Sequence, residues 1–248
     1  YNDSLLTKLS GCRFLIMVED SQMELDKLLD TKNKRLYDFL CTKMAIKLNF
    51  YTENNYGVFI CKGEARIDIP ENNYSSASFT HELLHILLSV YGVNISGAIK
   101  IQKNESKYLS SVISNELADH VSNVLEHRKM LPLFIELGYD RMSFLSDSIC
   151  PVLTDKEVNK FKSLFKMGMI FCRSITHDVV DCYIAKYIAA KGACIGTIDY
   201  SSQISEMYKI EPELCTIMDS VISRWGKYDE KREGDILTDT YNSIVYDF

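Results

Sequence analysis

His81 and His85 stand four residues apart, with Glu82 directly after the first, in the run His81-Glu82-Leu83-Leu84-His85. On a helix, side chains at i and i+4 leave the same face one turn apart, so two imidazoles at this spacing can converge on one tetrahedral metal ion. The intervening carboxylate then lies beside that ion. In an H-E-x-x-H arrangement it accepts a proton from a metal-bound water whose pKa the metal has lowered, so that the water can attack a carbonyl, and it later delivers that proton to the leaving group. The neighbours Phe79, Leu83, Leu84, Ile86, Leu87 and Leu88 make the helix apolar, and His and Glu are costly in such a setting unless paired or metal-bound. Two satisfied core histidines are the competing explanation.

A catalytic zinc needs a third protein ligand and an open position for water. Over residues 106–130, Leu109, Ile113, Glu116, His120 and Val124 recur at spacings of three or four. A carboxylate on an otherwise apolar stripe asks for a cation, so Glu116 is the expected third ligand, with a structural ion pair as its competitor. His120, one turn further, is the alternative ligand, and Asp119 or His120 could instead orient a ligand imidazole by hydrogen bonding. His127, followed by Arg128 and Lys129, reads as one of several cations favoured by a helix C-terminus. For a neutral donor that stabilises charge on the substrate, the candidates are His177, Tyr183 and Tyr187, each of which a core role explains as well.

These residues need elements to position them. Residues 13–18 form an expected strand, and 34–48, with Leu36, Phe39, Leu40, Met44 and Ile46, have near-helical spacing. The β-prone runs 58–61 and 65–69, separated by Lys62-Gly63-Glu64, form an expected hairpin. Pro70 closes the second run, and Ser75, Ser76 and Ser78 offer hydroxyl caps to the motif helix, which is expected to run through Val90 and stop at Gly92. A longer helix is expected over 106–130, ended by Pro132. Beyond a soft boundary at 146–154, residues 157–167, 171–190 and 214–225 read as helices, the last with a stripe of Leu214, Ile217, Met218, Val221, Ile222 and Trp225. The tail 226–248 shows little periodicity.

Residues 67–132 resemble the gluzincin group of metallopeptidases and, within it, are most similar to the ImmA/IrrE family. The likeness is carried by the β-run 65–69, by Ser78-Phe79-Thr80 before His81-Glu82-Leu83-Leu84-His85, and by Glu116-Leu117-Ala118 opening a stretch that reaches Leu131-Pro132. The resemblance implies that His81, His85 and Glu116 bind one Zn2+ and that Glu82 is the catalytic base. It further implies that the β-run before the motif helix is a sheet edge along which a peptide substrate pairs, placing Ile67, Asp68 and Ile69 in the substrate cleft. Many gluzincins carry an Asp four residues after the third-ligand Glu; here that position is His120, and Asp119 comes one earlier.

The 248 residues suffice for one substantial core, and 46% hydrophobic with 25% charged residues is a globular balance. The net charge of −6, with both signs interspersed, offers no basic stripe for nucleic acid, and no apolar run approaches the roughly 20 residues of a membrane span. The 8 cysteines form no C-x-x-C pair and read as reduced, buried thiols of a cytoplasmic protein. The expected architecture is α+β: a mainly helical zincin-like domain over 1–148, with a small sheet before the H-E-x-x-H helix, and a helical part over 149–248, whether separate or packed into the same domain. The expected function is zinc-dependent hydrolysis of peptide bonds in an intracellular protein target, without a nucleic-acid or membrane partner. The alternatives are a zinc-binding sensor or partner-binding protein with an inactive peptidase-like site, and a hydrolase of non-peptide carbonyls.

Overall fold

The computed structural model describes residues 24–107, 110, 113–144, 151–171, 177–192 and 198–227. The expected strand at 13–18 and nearly all of the tail 226–248 lie outside them. Among the described residues the chain is mainly helical with one three-stranded sheet, an α+β arrangement. No single helix among them is long and apolar enough to cross a membrane.

The chain forms two compact units: one drawn from Tyr1–Tyr91 and Leu133–Leu145, the other from Gly92–Pro132 and Ser146–Phe248. A single cut near residue 148 is therefore replaced by a discontinuous division, in which Gly92–Pro132 goes with the C-terminal helices.

In the first unit, α1 (Lys34–Cys41) leads into β1 (Ala45–Tyr51). The helix expected over 34–48 thus ends early. From residue 46 onward the apolar residues Ile46, Leu48 and Phe50 alternate with Lys47 and Asn49, the period of a half-buried strand, which overrides the helical spacing of Met44 and Ile46. Strands β2 (Gly57–Cys61) and β3 (Glu64–Pro70) form the expected hairpin. Its loop residues Lys62 and Gly63 have φ of 48° and 82°, the left-handed conformations that a tight two-residue hairpin loop requires, and glycine meets this at no steric cost.

The strand order is β1-β3-β2, with β1 parallel and β2 antiparallel to β3. Ala65, Ile67 and Ile69 of β3 point to one face and are fully buried, while Arg66 and Asp68 alternate onto the other. The buried face packs on α2 (Ser76–Val90), through Phe79, Leu83 and Ile86, and on Leu40 of α1. Ser75 caps α2, its Oγ accepting from the Ser78 N–H at 3.1 Å, and Gly92, at φ 84°, follows its end.

In the second unit, α3 (Ile95–Glu105) precedes α4 (Asn115–Glu136), followed by α5 (Asp155–Phe171), α6 (His177–Gly192), α7 (Ser201–Ile210) and α8 (Pro212–Lys227). The helix expected over 106–130 is shifted: α4 starts at Asn115 and passes through Pro132 to end at Glu136, within the first unit. Pro132 removes one intrahelical hydrogen bond, yet Leu131 and Phe134 on either side are buried, and their packing offsets a cost of about 3 kcal/mol. On α8, the buried stripe is Cys215, Met218, Val221 and Trp225, and the Trp225 Nε1–H donates to the Leu125 carbonyl at 2.6 Å. Ile217, expected on this stripe, is exposed, because it projects beside the contact line. Of the cysteines expected in the core, Cys215 is buried, but Cys41, Cys61 and Cys182 are exposed and unbridged.

Candidate metal centre

Successive residues of a helix are turned by about 100°, so His81 lies about 200° around α2 from Phe79. The face carrying His81 and His85 is therefore opposite the face that packs on the sheet. The two rings sit edge to face, with centroids 5.1 Å apart. His81 and Glu82 are 8% and 7% exposed, and His85 is half-buried.

His81 is covered by Phe144, whose ring centroid is 4.7 Å from that of the imidazole, and its ring is hydrogen-bonded to the Phe144 main chain. Burial drives the His81 pKa down to about 3, with a further push from His85, so the ring is neutral and has a lone pair to offer near pH 7. Burial raises Glu82 to about 7, partly countered by His85. A carboxyl poised there can both take up and release a proton near neutrality.

Among the described residues, the side chains placed to share a cation are His81, His85 and His127: one ring nitrogen from each lies within 4.8 Å of the other two. Three imidazoles are a donor set that zinc accepts while keeping a fourth position open. His127 is 7% exposed and sits inside α4, nine residues before its end. The expectation of a cation at a helix terminus fails because α4 continues past Pro132. The signal that could have found it is its spacing from Val124, Leu131 and Phe134, at −3, +4 and +7, which sets His127 on an inward-facing stripe.

Glu116 is not in this group. It is exposed in the first turn of α4, 11 positions before His127, about 16 Å along the same helix axis. Asp119 pairs with Lys100 Nζ at 2.5 Å and accepts from Ser96 Oγ, so its carboxylate serves contacts between α3 and α4. Burial raises its pKa, but the hydrogen bonds from Lys100 and Ser96 prevail and hold it low. His120 Nε2 lies 3.1 Å from the Ala185 carbonyl, and burial depresses the pKa of its ring.

The candidates for substrate stabilisation are engaged elsewhere. Tyr183 donates to the Met207 carbonyl at 2.5 Å, and Tyr187 donates to Asp219 Oδ1 at 2.8 Å, both within the packing of the C-terminal helices. His177 opens α6, and its side chain lies outside the described residues. Nor is β3 an edge. It is paired on both sides over Glu64–Asp68, so the main-chain groups at Ile67 and Asp68 are committed, while Ile67 and Ile69 are buried in the core. Among the described residues the sheet's edges are β1 and β2.

No protein-family model matches the chain, and no match is found among curated proteins or solved structures.

Proposed function

We propose that the protein is a zinc-dependent hydrolase of peptide bonds, with His81, His85 and His127 holding the ion and Glu82 acting as general base. The observation that carries this reading is the burial of His81 and Glu82 beside His85 on one helix, a setting that keeps the His81 imidazole neutral and raises the Glu82 carboxyl to about 7. When bound, zinc supplies Lewis acidity, which acidifies a coordinated water and polarises the carbonyl to be attacked.

The chain's own residues do the rest. His81 is kept neutral by burial and presents a lone pair. Glu82 takes the proton from the attacking water and returns it to the departing amine, so the carboxylate is regenerated in each cycle. Among the described residues the outer edge of β2, where Phe59 is exposed at 59%, is the side of the hairpin on which an extended peptide could add, in place of the β3 residues whose groups are already paired. The likeness of residues 67–132 to gluzincins agrees with the roles of His81, Glu82 and His85, and this reading departs from it by using His127 where the likeness points to Glu116.

The test is the zinc content of dialysed wild type and of His81→Ala, together with hydrolysis of an unstructured protein substrate by wild type and Glu82→Gln. One zinc per chain, lost in His81→Ala, with cleavage abolished in zinc-loaded Glu82→Gln, is the expected result. Wild type that takes up no zinc, or full cleavage by Glu82→Gln, refutes it.

A further inference from the structure

We infer that Phe144 is a positioning residue for the metal centre: its main-chain carbonyl fixes which nitrogen of His81 carries the proton, and its ring fixes the plane of the imidazole. The inference rests on the metal-centre reading above. A histidine that binds a cation through one nitrogen must carry its proton on the other, and the partner of that N–H decides both the tautomer and the direction of the lone pair.

Phe144 meets both needs from one residue. It is 2% exposed, its main chain is hydrogen-bonded to the His81 ring, and its own ring lies against the imidazole at 4.7 Å with an interplanar angle of 51°. An imidazole clasped in this way has neither rotation about χ2 nor exchange of tautomers open to it without breaking a buried contact.

Phe144 is itself held on two sides. On the ring side, Phe134 meets it edge to face at 5.2 Å, and Phe134 is stacked at 4.9 Å on Tyr139, whose hydroxyl donates to Asp30 Oδ1 at 2.9 Å. On the main-chain side, the 3-10 turn Arg141–Ser143 delivers it. The Asp140 Oδ1 accepts from the Met142 N–H at 2.7 Å, the Asp140 carbonyl accepts from the Ser143 N–H at 3.0 Å and from its Oγ at 2.7 Å, and the Phe144 N–H donates to the Arg141 carbonyl at 3.2 Å. This is a local cap whose output is the direction of a single carbonyl. Asp140 is exposed, so its side chain can be altered without opening the core.

The experiment uses the full chain, with 15N-labelled histidine, for wild type, Phe144→Ala, Phe144→Leu and Asp140→Ala. Two quantities are read: the tautomer and ring N–H exchange of His81 in metal-free protein by NMR, and the zinc affinity by competition with a chelator. In wild type, His81 is expected as one tautomer with a slowly exchanging ring N–H. Asp140→Ala and Phe144→Ala are expected to speed that exchange and to weaken zinc about 10- to 100-fold, the range for lost partners of ligand imidazoles. Phe144→Leu, which restores the bulk that holds the main chain and the imidazole in place, is expected to retain the single tautomer and to lose less affinity than Phe144→Ala. If Phe144→Ala does not fold, Asp140→Ala carries the comparison.

A His81 ring that exchanges freely or populates both tautomers in wild type overturns the inference, as does unchanged zinc affinity in both Asp140→Ala and Phe144→Ala. Wild type that keeps the slow N–H but binds no zinc refutes the metal-centre reading, and with it the positioning role, while identifying the contact as packing.

Discussion

The Asn33 Nδ2 donates to the Thr80 Oγ1 at 3.0 Å, and so ties the turn before α1 to the residue immediately before His81. Asn33 is fully buried; its amide also donates to the Leu28 carbonyl at 2.9 Å, and its Oδ1 accepts from the Asp30 N–H at 2.9 Å. The Thr80 hydroxyl in turn donates to the Ser76 carbonyl, one turn back in α2. One side chain thus joins three segments of the first unit at the root of the motif.

Replacing it therefore leaves several buried groups unmatched. Asn33→Ala is expected to destabilise the protein by about 2–3 kcal/mol, the cost of buried polar groups left unsatisfied. Asn33→Asp, which sets a carboxylate against the Leu28 carbonyl, is expected to cost more. Urea unfolding followed by circular dichroism checks both. Thr80→Val removes the Asn33–Thr80 bond and the hydroxyl's bond to the Ser76 carbonyl but keeps the bonds of Asn33 to Leu28 and Asp30, and is expected to fall between wild type and Asn33→Ala.

Ligand identity separates the two candidates on α4. Stripping and reloading the protein is expected to give one zinc per chain in wild type and in Glu116→Ala, and to give none that survives dialysis in His81→Ala, His85→Ala or His127→Ala. Elemental analysis reads this directly. Zinc loss in Glu116→Ala with retention in His127→Ala would reverse the assignment of the third ligand.

The general-base role makes a different demand. Glu82→Gln is expected to bind zinc as wild type does while its turnover of an unstructured protein substrate falls about 10²- to 10⁴-fold, the usual contribution of a positioned proton acceptor. Loss of zinc in that variant would instead mean that Glu82 holds the site together.

What was legible in the sequence is what local chemistry encodes. The i,i+4 histidines, the seryl cap at Ser75, the stop at Gly92 and the Lys62-Gly63 hairpin each depend on neighbours within a turn, and each is found where the spacing puts it. Long-range placement was not legible. Glu116 and His127 both belong to inward-reading stripes, and only the true start and end of α4 decide which of them is buried. That choice turns on Pro132, which read as a helix stop, although flanking core residues hold the helix through it. In the same way, the β-run 65–69 looked like an edge because nothing in its own residues announces β1, a strand that was hidden inside an apparently helical stretch.

Acid sensitivity of the C-terminal helices should trace to Asp219. Burial raises the pKa of this carboxyl, but hydrogen bonds from Tyr208 at 2.6 Å, Tyr187 at 2.8 Å and Lys191 at 3.2 Å prevail and hold it below the ordinary value. A depressed folded-state pKa contributes stability above the unfolded value, near 4, that is lost as pH falls through the folded value. Stability is therefore expected to decline below about pH 4, and Asp219→Asn should flatten the part of that decline owed to this group. Thermal melts of both proteins between neutral and acidic pH measure it; parallel declines would remove Asp219 as the cause.

Packing between α4 and α6 sets a steric test close to the proposed third ligand. A Cβ built on Gly192, at the end of α6, would collide with Cγ1 of Val124, one turn before His127. A β-branched side chain on a helix has essentially one χ1 rotamer, so Val124 cannot swing away and the helices must separate instead. Gly192→Ala is accordingly expected to cost about 1–3 kcal/mol despite the higher helix propensity of alanine. Because the clash involves one methyl group, Val124→Ala should relieve it, and the double variant should be less destabilised than the sum of the two single changes, by about 1 kcal/mol or more. A double-mutant cycle by urea unfolding yields that coupling. Strict additivity would mean that α6 accommodates a side chain at 192 by another route, and that the close approach of these helices is not what requires glycine there.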